Sequence, residues 1–211
     1  MNTVGSQFEN TNRSTTDVAF TQSVKAMQSS LSSREKMEQL SRSGRWSNII
    51  SPELASFLSA QTSIFFGTAS VEGQPYIQHR GGAPGFIRVL DNRTLSFDEV
   101  PGNQQYISFG NLAENNRAVV FAIDYSTRTR IKLWGRAKLE GVERFLSGEG
   151  SPTIFFTVEA WDRNCKKLIP ELWPIAAVKD ATQSLLDKIS KLQAQVTELE
   201  LELARAAGGD A

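Results

Sequence analysis

The sequence predicts a mainly β fold: six or seven short antiparallel strands in a small barrel, flanking helices, and a C-terminal heptad helix. Three observations carry this expectation. Between residues 63 and 162, short runs rich in Ile, Val, Phe and Thr alternate with Gly- and Asn-containing corners, the pattern of hairpin-linked strands. Upstream of them, apolar residues recur at steps of three and four, as on a helix face. Downstream, the apolar residues fall into heptads. An open sandwich fits the strand spacing equally well.

The elements follow in order. Residues 1–17 are polar and rich in Ser, Thr and Asn, the composition of a disordered segment. From 18 to 50 the pattern is helical, first through Phe20, Val24, Met27 and Leu31 and then through Met37 and Leu40. "SPELASFLSA" reads as a helix with Ser51 as N-cap and Pro52 in the first turn, so Leu54, Phe57 and Leu58 would face the body of the protein. "SIFFGTAS" and "QPYIQH" flank a Val-Glu-Gly turn, and "GFIRVL" and "TLSFD" flank Asp-Asn-Arg, both hairpin signals. "RAVVFAID" pairs with "RIKLWGRAKLE", and "TIFFTVEAWD" closes the series. Between strands four and five, "GNQQYISFGNLAENN" supplies one inserted helix marked by Tyr106, Phe109 and Leu112. The barrel region is thus 51–175.

The tail, 178–207, carries Leu185, Ile189, Leu192, Val196, Leu199 and Leu203 in alternating steps of four and three. β-Branched residues at one core position and leucine at the other favour a parallel two-stranded coiled coil. An amphipathic helix packed on its own barrel is the alternative.

Composition narrows the function. With 23 basic and 23 acidic side chains the net charge is zero, which argues against long nucleic acid as a partner. One cysteine and one histidine leave no disulfide framework, Cys-rich zinc site or Ser-His-Asp triad. No apolar run reaches the roughly 18 residues of a membrane span, and the N-terminus lacks a secretory plan. The expectation is a cytoplasmic protein with no membrane and no metal.

Three segments could carry chemistry. In "YIQHRGGAPGF", Arg80 offers a five-donor fork suited to phosphate, and Gly81 and Gly82 allow close approach to the backbone. The plainer reading is a solvated surface arginine. In "PGNQQYIS", Gly102 and Asn103 precede a helix N-terminus, and Asn103, Tyr106 and Ser108 add neutral donors. Asn103 could equally be a simple cap. On "TRTRIKLWGR", Arg130, Lys132 and Trp134 share one strand face, where alternating charge also suits plain solvation.

Together, "YIQHRGGAPGFIRVLDNRTLSF", "GNQQYISFGNLAENNRAVVFAIDY" and "RIKLWGRAKL" resemble the FMN-binding split barrel of the pyridoxamine 5'-phosphate oxidase superfamily, in block order and in the inserted helix. The resemblance extends over roughly residues 18–175 and is nearest to oxidase-related flavoproteins of unassigned substrate. It implies a homodimer with two FMN molecules at the subunit interface. Arg80 would contact phosphate or flavin, with the amides of Gly81 and Gly82 approaching the ring. Asn103, Tyr106 and Ser108 would cup the ribityl phosphate, although the family's Arg-Lys pair is absent there. Arg130 and Lys132 lie on the strand whose inward side chains reach the flavin in relatives, and Trp161 and Asn164 would come from the second subunit. The implied activity is an FMN-dependent oxidoreductase acting on an unidentified small molecule, with NADH or NADPH as electron donor. The alternative is a non-catalytic FMN-binding, sensing or storage protein. The family's C-terminal Arg-Leu-His segment has no counterpart, since no histidine follows His79, so pyridoxamine-phosphate oxidation is not expected. No catalytic residue is assigned: His79 is a candidate base or a structural donor, and Cys165 reads as a neutral thiol.

Overall fold

The computed structural model describes residues 14–99, 102, 104–164 and 166–207. The chain divides into two compact units, Met1–Asp124 with Arg128–Leu168, and Tyr125–Thr127 with Ile169–Ala211.

The first unit is built on seven antiparallel strands: β1 (Ser63–Ala69), β2 (Pro75–Gly81), β3 (Arg88–Val89), β4 (Thr94–Asp98), β5 (Arg117–Asp124), β6 (Thr129–Glu140) and β7 (Thr153–Asn164). Their order is β2-β1-β5-β6-β7-β4-β3. Three strands separate β1 from β4 in this order, yet Phe66 and Phe97 meet edge to face with centroids 5.4 Å apart. Because all seven strands share one continuous ladder, this contact means the single sheet curls onto itself, as a barrel does and a sandwich of two separate sheets does not. Its seam lies between β2 and β3, where no ladder forms among the described residues. Phe66, Leu95, Phe97, Val120, Leu133 and Phe156 fill the interior.

Helix α3 (Pro52–Ser59) starts as the sequence predicts, with Ser51 Oγ accepting from the Leu54 N–H at 3.2 Å. It buries Leu54 and Leu58, and each fully buried leucine contributes roughly 1.5–3 kcal/mol. Helices α1 (Gln22–Ser30) and α2 (Arg34–Arg42) precede it. The 3-10 turn at Thr15–Val18, opened by Ser14, replaces the expected disorder over residues 14–17, and the rest of that expectation, residues 1–13, lies outside the described residues. Trp46 then stacks on Trp134 at 5.0 Å and lays this segment over the outside of β6 and β7.

Two elements differ from expectation. "GFIRVL" yields only the two-residue β3, because Gly85 takes φ +91° and its N–H donates to the Ser59 carbonyl instead of a ladder. The inserted helix, α4 (Ile107–Glu114), begins after Tyr106 rather than directly after Asn103. A short helix, α5 (Val142–Leu146), follows β6.

The ladder between β6 and β7 contains one bulge. Trp134 opposes Ala160 but Gly135 opposes Val158, leaving Glu159 as the extra residue. A Cβ on Gly135 would stand 2.0 Å from the Thr157 carbonyl oxygen, so the close approach at the bulge requires glycine.

In the second unit, α6 runs from Ile175 to Ala207. Every side chain from Ile175 to Arg205 is exposed. No helix among the described residues is long and apolar enough to cross a membrane.

Candidate functional site

The predicted site residues separate into two groups on opposite faces of the sheet. The inner group forms because β2 alternates against its apolar pattern. Arg80 pairs in register with the core residue Ile64 and is buried, whereas Ile77 faces out and is 66 % exposed. A buried guanidinium requires a counter-charge and full hydrogen bonding. Glu99, just past β4 across the seam, supplies both. Arg80 Nε donates to Glu99 Oε2 at 2.8 Å, and Nη2 lies 2.7 Å from Oε1. Nη2 also donates to Ser108 Oγ at 3.3 Å and Nη1 to the His79 carbonyl at 3.2 Å. Burial pushes the Glu99 carboxyl above its usual range, against the opposing pull of Arg80. The expected phosphate-gripping arginine is therefore a structural ion pair that anchors α4 through Ser108.

Beside this pair, Gln78, Gly102, Gln104, Tyr106, Phe109 and Phe145 line a cavity of about 30 Å³. That is room for about two waters. The approach to α4 is nonetheless unusual. Gln104 and Tyr106 adopt φ +58° and +51°, a left-handed geometry that costs non-glycine residues about 1–3 kcal/mol each and gathers at ligand clamps. Tyr106 makes no side-chain cap bond to the helix and packs at a tilt against Phe109 and edge-on against Phe145, at 5.4 and 6.2 Å. Asn103 and Cys165 lie outside the described residues.

The glycines serve packing. A Cβ on Gly81 would meet His79 Cε1 at 2.9 Å and the Thr62 carbonyl at 3.0 Å, and one on Gly82 would meet Phe86 Cβ at 2.6 Å. A side chain at either position would collide with the protein's own atoms.

The outer group is a grid. His79, Phe65, Phe121, Lys132 and Asp162 follow one another in register across β2, β1, β5, β6 and β7. Phe65 packs edge-on against His79 at 5.9 Å and Phe121 at 6.3 Å, and the Lys132 ammonium sits 5.4 Å over Trp134. His79 Nε2 shares a 2.8 Å hydrogen bond with Ser63 Oγ. One row along, Arg130 opposes Asn164. These residues alternate with core side chains such as Ile131 and Leu133, so Arg130 and Lys132 point away from the barrel interior, where an inward orientation was expected.

Arg130 and Asn164 share a further property. Among the described residues, Arg130 Nε and Asn164 Oδ1 are both buried without a hydrogen-bond partner. The amide orientation of Asn164 is fixed, because its Nδ2 donates to Asp162 Oδ2 at 3.1 Å. A donor and an acceptor thus stand unsatisfied on adjacent strands. Trp161 does not join them: its indole N–H donates to the Ile49 carbonyl at 2.8 Å and its ring packs on the core. Sequence reasoning missed Glu99, which lies 19 residues from Arg80; its one signal is a second charge needed to balance a buried first.

Residues 50–148 match the family model described as pyridoxamine 5'-phosphate oxidase. The barrel belongs to that family. Solved structures of similar fold include a putative pyridoxamine 5'-phosphate oxidase from Lactobacillus delbrueckii, 15% identical, covering 55% of this chain and 94% of that one at a TM-score of 0.43. An FMN-binding protein from Syntrophomonas wolfei is 14% identical, with 66% and 97% covered and a TM-score of 0.40. The heme storage protein HutZ from Vibrio cholerae is 12% identical, with 52% and 89% covered and a TM-score of 0.34. No curated protein matches the sequence.

Proposed function

We propose that this pyridoxamine 5'-phosphate oxidase-family barrel binds FMN between two copies of the chain and acts as an FMN-dependent oxidoreductase on a small molecule. The observation that carries the reading is the orphan pair on the outer face. The pyrimidine edge of a flavin alternates carbonyl acceptors with an N–H donor. Arg130 Nε–H and Asn164 Oδ1 are the complementary donor and acceptor, both buried and both without a partner. The Phe65–Phe121 row offers apolar surface beside them, and Lys132 adds a cation one row away. The residues present fit the group.

The α4 corner would serve the phosphate end through its uncapped N-terminus and Ser108. That corner is on β2 and α4, whereas Arg130 is on β6, three strands away and on the other sheet face. At ~4.8 Å per strand the offset is about 14 Å, which favours one copy supplying each wall. When bound, FMN supplies two-electron acceptance at its ring; the chain supplies orientation, a positive edge and shielding from water. Lys132 and Arg130 would favour a ring that gains negative charge on reduction.

A second reading, passive FMN binding, draws on His79. The single histidine is tied to Ser63 and Phe65, so the face offers no free imidazole for proton transfer. Protein purified without added cofactor should be yellow and release FMN on denaturation; colourless protein that ignores added FMN overturns both readings. Anaerobic bleaching by NADH or NADPH, followed by recovery in air, distinguishes the oxidoreductase from the binder. Arg130→Met should weaken FMN binding about 10–100-fold, the worth of one charge-assisted hydrogen bond, and Asn164→Ala about 3–10-fold, the worth of a neutral one. Unchanged affinity in both refutes the placement.

A further inference from the structure

The seam of α6 extends beyond the tail heptads into the start of the helix. With the helix beginning at Ile175, a heptad places Ile175, Thr182, Ile189, Val196 and Leu203 at a, and Val178, Leu185, Leu192 and Leu199 at d. That is nine consecutive layers with no break in step. All the large apolar members are open to solvent, Ile189 at 49% and Ile175 at 74% exposed. A helix of 33 residues, about 50 Å long, does not hold such a stripe in water unaided, because helix stability in proteins comes chiefly from covering the apolar face. Only Leu186, at e, and Leu201, at f, lie off the seam.

We propose that α6 pairs in parallel and in register with α6 of a second copy of this chain, forming a two-stranded coiled coil. Four of the five a residues are β-branched and three of the four d residues are leucine, the combination that selects two parallel strands. The flanks agree. In a parallel register each g faces the e five residues on, giving Ala181–Leu186, Lys188–Gln193 and Gln195–Glu200. None of these opposes like charges, and none presents the charge pattern that selects a different partner sequence. A self-complementary seam without heterotypic charge rules finds its match in an identical helix.

The test uses the full chain with the native thiol removed by Cys165→Ser. Leu192→Cys places a cysteine at a d layer, where a parallel, in-register pair brings the two Cα atoms within disulfide range. Mild oxidation should give a covalent dimer with Leu192→Cys and only monomer with Glu198→Cys, which points outward at c. Failure of Leu192→Cys to cross-link overturns the proposal, as an antiparallel pair would set residue 192 against residue 189. Equal cross-linking at both positions overturns it too, by showing random collision. In a second variant, Leu192→Lys with Leu199→Lys should lower the helical signal at 222 nm on dilution while the barrel remains folded, and an unchanged signal at every concentration counts against the seam. None of these readouts involves flavin, so they stand or fall apart from the proposed function.

Discussion

The two arginines of the barrel that matter most, Arg80 and Arg130, differ in what surrounds them. Arg80 is enclosed, with Glu99, Ser108 and the His79 carbonyl taking its donors. Arg130 lies over the Phe121 ring at 6.0 Å with its Nε buried and unanswered. The first is finished by its own chain and the second is not. A guanidinium beside glycines looks like a ligand contact, but what identifies an open site is the unsatisfied atom, and that lies on the strand with less conspicuous residues.

The difference can be broken by substitution, beginning with the largest effect. Arg80→Ala strands the Glu99 carboxylate in the interior, and breaking a buried pair from one side costs about 3–5 kcal/mol. Denaturant unfolding should register that loss, and Arg80→Met with Glu99→Met should restore most of it. If Arg80→Ala instead leaves stability intact and only weakens FMN binding, the structural assignment of this arginine is wrong. Gly82→Ala forces a methyl into Phe86 and should cost about 1–3 kcal/mol, as overpacking does, with FMN affinity retained by the protein that folds.

The outer pair should behave in the opposite sense. Arg130→Met removes a buried donor that has no partner, so thermal unfolding of the flavin-free protein should be unchanged or shift up by the equivalent of about 1 kcal/mol. A marked loss of stability would show that Arg130, too, is structural.

The smallest effect is in the pH dependence. Glu99 carries a folded-state value raised above its ordinary 4.5 by burial. Between that ordinary value and the raised one the folded state holds more protons than the unfolded chain, so stability falls as pH rises through this window and is level below it. Glu99→Gln should flatten that stretch of the stability curve, and an identical slope in the variant would assign the titration elsewhere.

Much of this was legible in the residues. The strand count, the capped α3 and the heptad helix follow from periodicity and from Ser51-Pro52, because those signals are local. The placement of the site residues was less so. "PYIQHRG" invites Ile77 inward and Arg80 outward, and the reverse holds because the partner that makes Arg80 tolerable inside arrives from β4 only when the sheet closes. "TIFFTVEAWDRN" carries no mark of its bulge, so the facing of Trp161 and Asn164 could not be read beyond Val158. The start of α4 was misplaced because Asn103 is a better cap by type than Tyr106, whose left-handed backbone is set by the loop around it.

That bulge makes β7 a strand of two phases. Up to Val158, even-numbered residues point to the core; beyond Glu159 the core side belongs to the odd-numbered ones, with Trp161 opposite Leu133. One supernumerary glutamate therefore decides which residues of the last segment face the barrel interior and which are offered to its outer side. Shortening the chain by that residue would invert the offer, sending the tryptophan out and withdrawing the asparagine, without altering any of the side chains concerned.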